Sequence, residues 1–126
     1  MGKYGDAAIK AVRLVRSGSV KSPINAWKRA TGEIFGRGTS SQDKGCPRDA
    51  FLGLCEEGII TGIPAGNYTR SIKNKEYALK AVRLLKEEPE VTQTKLWDKV
   101  VEGKGIKHNR QMDVVVSLWK AGLIKF

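Results

Sequence analysis

Four cations, two of them set between glycines, are the side chains of this sequence best placed to do chemistry. Gly36-Arg37-Gly38 and Gly103-Lys104-Gly105 each fall in the interval between a second and a third expected helix. Glycines flanking a cation leave backbone N–H groups open to an anion, and a helix that starts just beyond adds the positive end of its dipole. The second run continues through Lys107, His108, Asn109 and Arg110. Arg37, Lys104, Lys107 and Arg110 are therefore the candidate nucleic-acid-binding residues, each positioned to meet a phosphate. The competing structural reading makes both glycine runs flexible connectors, Asn109 a helix cap, and Lys107 and Arg110 solvated surface charges.

Other reactive residue types lack partners. Cys46 lies between Gly45 and Pro47 at an expected helix start, where the dipole favours a thiolate, but no histidine or second cysteine stands beside it in sequence. Cys55, nine residues on, is expected to be core and unbridged to Cys46. His108 is the single histidine and has no second ligand at metal spacing. Asp49 and Asp113 recur at the same place in the third helices and read as first-turn carboxylates favouring the helix start. No catalytic residue, metal or cofactor is expected, and the sequence reads as a non-enzymatic protein.

A net charge of +10, from 23 Lys and Arg against 13 Asp and Glu, favours polyanionic partners. Both halves contribute, residues 1–62 with 10 basic and 6 acidic side chains and residues 63–126 with 13 and 7. The 126 residues, 40% of them hydrophobic, suit one domain with its own core. No apolar run is long enough to span a membrane and none opens the chain as a secretion signal, so a cytoplasmic protein is expected. Gly2 does not begin a myristoylation motif, because Asp6 stands where Ser or Thr is required.

The elements that must position the cations read as helices, and they read twice. Offsetting the chain by 70 residues lays Ala8, Lys10, Ala11, Val12, Arg13, Leu14 and Trp27 on identical residues, Ala78 through Trp97, seven matches in the twenty positions 8–27. An offset of 64 lays Asp49, Leu54, Gly58 and Ile60 on Asp113, Leu118, Gly122 and Ile124. The expectation is an all-α fold, two divergent copies of a three-helix unit packed as one compact domain: repeat 1 over about 4–62, repeat 2 over about 74–126, joined by loop 63–73.

Local punctuation sets the helices. The first is expected from about Asp6 to Ser17 with Gly18 as its stop, and its counterpart after Asn74, ending before Pro89. Ser22 and Thr92 read as N-caps of the second helices, with Pro23 harmless in the first turn. The third helices are expected from after Pro47 to Gly58 and from about Asn109 to Gly122. Trp27 and Trp97 read as core, and the apolar tails Ile59-Ile60 and Leu123-Ile124 as folding back over their own unit.

The last helix ends like a winged-helix recognition helix, but helix-turn-helix units join their key helices by three or four residues, against gaps here of roughly ten and six. The stretch from Gly45 to Gly58, with Gly62-Ile63-Pro64-Ala65-Gly66-Asn67-Tyr68 and the opening Gly2-Lys3-Tyr4-Gly5, resembles a family of small bacterial proteins of unknown function. That resemblance implies a bacterial, cytoplasmic setting and assigns no site residue. The functional expectation is a nucleic-acid-binding module using basic loops; the alternative is an adaptor or inhibitor whose charge complements an acidic protein.

Overall fold

The computed structural model describes residues 2–125. Six helices follow one another: α1 (Lys3–Arg16), α2 (Pro23–Phe35), α3 (Gly45–Glu56), α4 (Ile72–Glu87), α5 (Gln93–Val100) and α6 (Gln111–Lys120). No strand forms among the described residues; a single antiparallel bridge joins Ile60 to Ile124. The fold is all-α.

Side-chain caps start three of the helices. Ser22 accepts from the Asn25 N–H at 3.0 Å, Ser71 from Asn74 and Thr92 from Lys95, both at 3.3 Å, each worth about 1 kcal/mol. Several expected boundaries move outward. α1 begins at Lys3 rather than Asp6, α3 at Gly45 rather than after Pro47, and α4 at Ile72 rather than after Asn74. The reason at α4 is that Ser71 outcompetes the residues downstream as a cap. At α3, Pro47 sits in the first turn, where its missing N–H has no partner to lose. α5 instead stops early, at Val100, so the connection 101–110 is longer than the six residues expected.

All six helices feed one apolar core that includes Ala8, Val12, Trp27, Phe51, Leu85, Leu96 and Leu118. Trp27 is 1% exposed and stacks on Phe51 at 5.2 Å, while Trp97, 7% exposed, meets Tyr77 edge-on at the same separation. α1 packs on α2 and α6, and α4 packs on α3, so each of these two helices lies against a partner from the opposite half of the chain.

Both crossings depend on a glycine. A Cβ on Gly5 would collide with Ser117 Oγ and come within 2.8 Å of the Asp113 carbonyl oxygen; one on Gly53 would come within 2.7 Å of Lys75 Cα. The apolar tails do not cover their own halves as expected. They pair with each other: the Thr61 N–H donates to the Leu123 carbonyl at 2.9 Å and the Lys125 N–H to the Ile59 carbonyl at 2.7 Å. Those two bonds interchange under the 64-residue offset. Gly58 and Gly122, with φ of 76° and 72°, turn the chain out of α3 and α6 into this pairing, a backbone conformation that favours glycine.

Candidate nucleic-acid interface

The two glycine runs use their backbone differently from the expectation. Gly36 N–H donates to the Gly32 carbonyl at 2.9 Å and Gly38 N–H to Gln42 Oε1 at 2.7 Å. Gln42 also donates to the Lys28 carbonyl at 2.9 Å, so this side chain, itself buried, fastens the loop to α2. In the second run Gly103 N–H donates to the Asp98 carbonyl and Lys104 N–H to the Val101 carbonyl. The amides offered to an anion are thus largely committed to the protein, because a helix end leaves carbonyls that need donors. What remains for a ligand is the side chains.

Arg37 lines a cleft of about 550 Å³ beside α2, together with Lys28, Arg29, Glu33 and Asp43. Its charge is mixed. Glu33 is held by Lys10 and Arg29, whose ammonium and guanidinium keep its carboxyl below the usual range. Lys104 stands exposed at the tip of the second run and lines neither this cleft nor the next.

Lys107 and Arg110 do come together. With His108 and Asn109 they line a concave surface of about 430 Å³ that Lys44, the residue just before α3, also lines. The backbone there is tightly specified. Trp97 donates its indole N–H to the Ile106 carbonyl at 2.7 Å, and Asn109 N–H donates to Gln111 Oε1 at 2.6 Å. Gln111, 3% exposed, in turn donates to Asn74 Oδ1 at 3.1 Å, tying the loop to the start of α4. The N-cap of α6 is Arg110 and not Asn109, and Arg110 adopts the left-handed conformation at φ 70° with no side-chain cap bond. A non-glycine residue held there costs of order 1 kcal/mol.

Lys44, Lys107, Arg37 and Lys104 form no ion pair among the described residues, and Arg110 approaches Asp113 only to 3.9 Å. Lys10, Lys75, Lys80 and Lys99, by contrast, each reach a carboxylate. The cleft therefore presents two lysines without an ion pair among the described residues, beside Arg110, which shares its charge with Asp113 at 3.9 Å. Lys44 escaped the sequence reading because it lies in the other half of the chain. A signal existed: the 64-residue offset maps Lys44 onto His108, inside the segment already singled out.

A second, smaller recess of about 120 Å³ opens beside it and shares His108 and Arg110 as its wall. Trp97 and Met112 contribute apolar surface there, and Thr94 and Asp98 stand among its polar lining.

Elsewhere the carboxylates serve the packing. Asp49 lies beyond the first turn of α3 and accepts from Thr69 Oγ1 at 3.0 Å, and Asp113 in the first turn of α6 accepts from the Gln93 amide. The helix-start role expected of both holds in position only for Asp113. Cys46 and Cys55 are unbridged, and burial pushes the Cys55 thiol up, out of reach of deprotonation. Among the described residues no group of three or more His, Cys, Asp or Glu could hold a metal ion, and no helix is long and apolar enough to cross a membrane.

A family model of unknown function, DUF6979, matches residues 1–125. The chain belongs to the DUF6979 family. No curated protein and no solved structure matches the chain. For a DUF6979 protein, function must accordingly be read from the site, and its fold alone carries no activity.

Proposed function

We propose that this DUF6979 protein is a non-enzymatic module that binds the backbone of nucleic acid through the cleft of Lys44, Lys107 and Arg110, with Arg37 and Lys104 as outlying contacts. The observation that carries the reading is the convergence on one concave surface of two unpaired lysines, Lys44 and Lys107, with Arg110, whose ion pair to Asp113 is long at 3.9 Å, in a chain of net charge +10. Phosphates are bound by releasing condensed counterions, which rewards clustered, unneutralised Lys and Arg. A solvated surface charge needs no concavity and no strained backbone behind it. The unbridged Cys46 and Cys55 fit a reducing compartment, in keeping with a bacterial cytoplasmic protein.

The test is affinity for DNA and RNA against salt. Replacing Lys44 and Lys107 by Ala and Arg110 by Gly, which suits the left-handed backbone, should weaken binding and flatten the logarithmic salt slope by about 2 to 3 if each cation meets one duplex phosphate. Adding Arg37→Ala and Lys104→Ala should lower the slope further. Equal slopes for wild type and variant would remove the cleft from the reading. No binding even at low salt would remove nucleic acid altogether and favour an acidic protein partner.

We also read the two halves as divergent copies of one three-helix unit. What supports this is that the tail hydrogen bonds and the two glycine crossings each fall on positions matched by the sequence offsets.

A further inference from the structure

The two recesses that share His108 and Arg110 differ in chemistry, and the difference points to one ligand. One is lined by Lys44, Lys107 and Arg110, a charge that suits an anion. The other has apolar surface from Trp97 and Met112, with Thr94 and Asp98 offering a hydroxyl and a carboxylate. At about 120 Å³ the second is far smaller than a site for a drug-sized molecule. It has room for one flat ring. His108, exposed between the two, presents an imidazole face against which such a ring can lie.

A nucleotide joins a flat ring, with stacking faces and polar edges, to a phosphate through a sugar, and so matches both recesses at once. We infer that the paired recesses form a nucleotide site, with an unpaired base held by Trp97, Met112 and His108 and its phosphate among Lys44, Lys107 and Arg110. This rests on the backbone-binding reading above and extends it: the preferred ligand is single-stranded or a free nucleotide, since a base inside a duplex cannot enter a recess in the protein. The indole N–H of Trp97 is committed to Ile106, so Trp97 contributes surface rather than a hydrogen bond. Selectivity among bases falls to Thr94 and Asp98.

The experiment compares a ten-nucleotide thymidylate strand with an abasic strand of the same length and charge, a duplex of that length, and a free nucleoside monophosphate. Wild type should bind the base-bearing strand about tenfold tighter than the abasic one, the scale of one base contact, and tighter than the duplex. Thr94→Leu, at an exposed position on the rim, adds bulk without an aromatic face and should narrow the recess and erase that ratio while leaving abasic affinity and salt slope intact. Lys44→Ala with Lys107→Ala should weaken both strands and preserve the ratio. Competition by the free monophosphate assigns the site to a diffusible nucleotide, and its failure to compete assigns it to a strand. Equal binding of base-bearing and abasic strands by wild type, or a ratio that survives Thr94→Leu, overturns the nucleotide site but leaves backbone binding standing. Failure of every strand to bind at low salt overturns both.

Discussion

Where α3 crosses α4, Gly53 lies under the Cα of Lys75, whose ammonium reaches Glu56 at 2.8 Å and Glu57 at 3.0 Å. Where α1 crosses α6, the positions matched by the two sequence offsets are Ser117, Gly5 and Lys120. There the glycine lies on the other of the two offset-matched positions and, among the described residues, no ion pair matches the one to Glu56, yet both helix pairs are in close contact. A close approach thus requires one missing side chain at the contact and is indifferent to which helix omits it. The added ion pair in the first crossing does a separate job: Glu56 also accepts the Tyr68 and Thr69 N–H groups, which fixes the chain on its way into α4.

The tryptophans make the largest difference between the halves measurable. Trp27→Ala empties a fully buried position against Phe51 and should cost about 3 to 5 kcal/mol, read as a fall in Tm beside the exposed control Lys28→Ala. The phenylalanine pair sharpens the comparison. Among the described residues the Trp27 indole N–H has no hydrogen-bond partner, whereas that of Trp97 holds the Ile106 carbonyl. Trp97→Phe should therefore lose about 1 kcal/mol that Trp27→Phe does not, and amide exchange in residues 101–110 should quicken only in the former. Equal exchange in both variants would show that the indole bond does not hold the loop.

The crossings come next. Gly53→Ala and Gly5→Ala should each lower stability by about 1 to 3 kcal/mol through overpacking. Their rescue should differ. Ser117→Gly should recover part of the Gly5→Ala loss by removing one of its clashes, while Lys75→Ala should not rescue Gly53→Ala, because that clash involves Lys75 Cα and Cβ. Denaturant melts of the single and double variants decide it, and a rescue by Lys75→Ala would place the contact further out along the side chain.

The smallest effect is electrostatic. The Lys75 ammonium, followed by the Tyr68 and Thr69 N–H groups, holds the Glu56 carboxyl down to about 2, and Lys75 is raised in return. A carboxylate with a depressed folded value stabilises fully above its unfolded value and loses that contribution as pH falls through the folded one. Stability should thus decline from pH 4.5 towards about 2, and Glu56→Gln should flatten that stretch of the curve. An unchanged acid limb would mean that Lys75 is not Glu56's effective partner in solution.

The all-helical class was legible because amphipathic spacing and capping residues are local signals: Ser22 and Thr92 cap as their types dictate, and Trp27 and Trp97 are buried. Long-range choices were not. Nothing near Gly38 in sequence announces that Gln42 will take its N–H, and nothing near Arg110 announces a left-handed cap. The tails Ile59-Ile60 and Leu123-Ile124 were recognisable as apolar, but their pairing partner lies in the other half, which no local pattern encodes. Lys44 was missed for the same reason. Lys107 and Arg110 could be grouped from the sequence because a single loop contains both.

The packing of α1 on α6 has a consequence for how the chain is made. Gly5 and Ser117 meet across a separation of roughly a hundred residues, and contacts of such range are closed late and slowly. On the ribosome, α1 can meet α2 early but must keep its other face open to water until the last helix is synthesised. The amino-terminal half of a nascent chain is then an unfinished surface, and vectorial synthesis delays its closure until α6 has emerged.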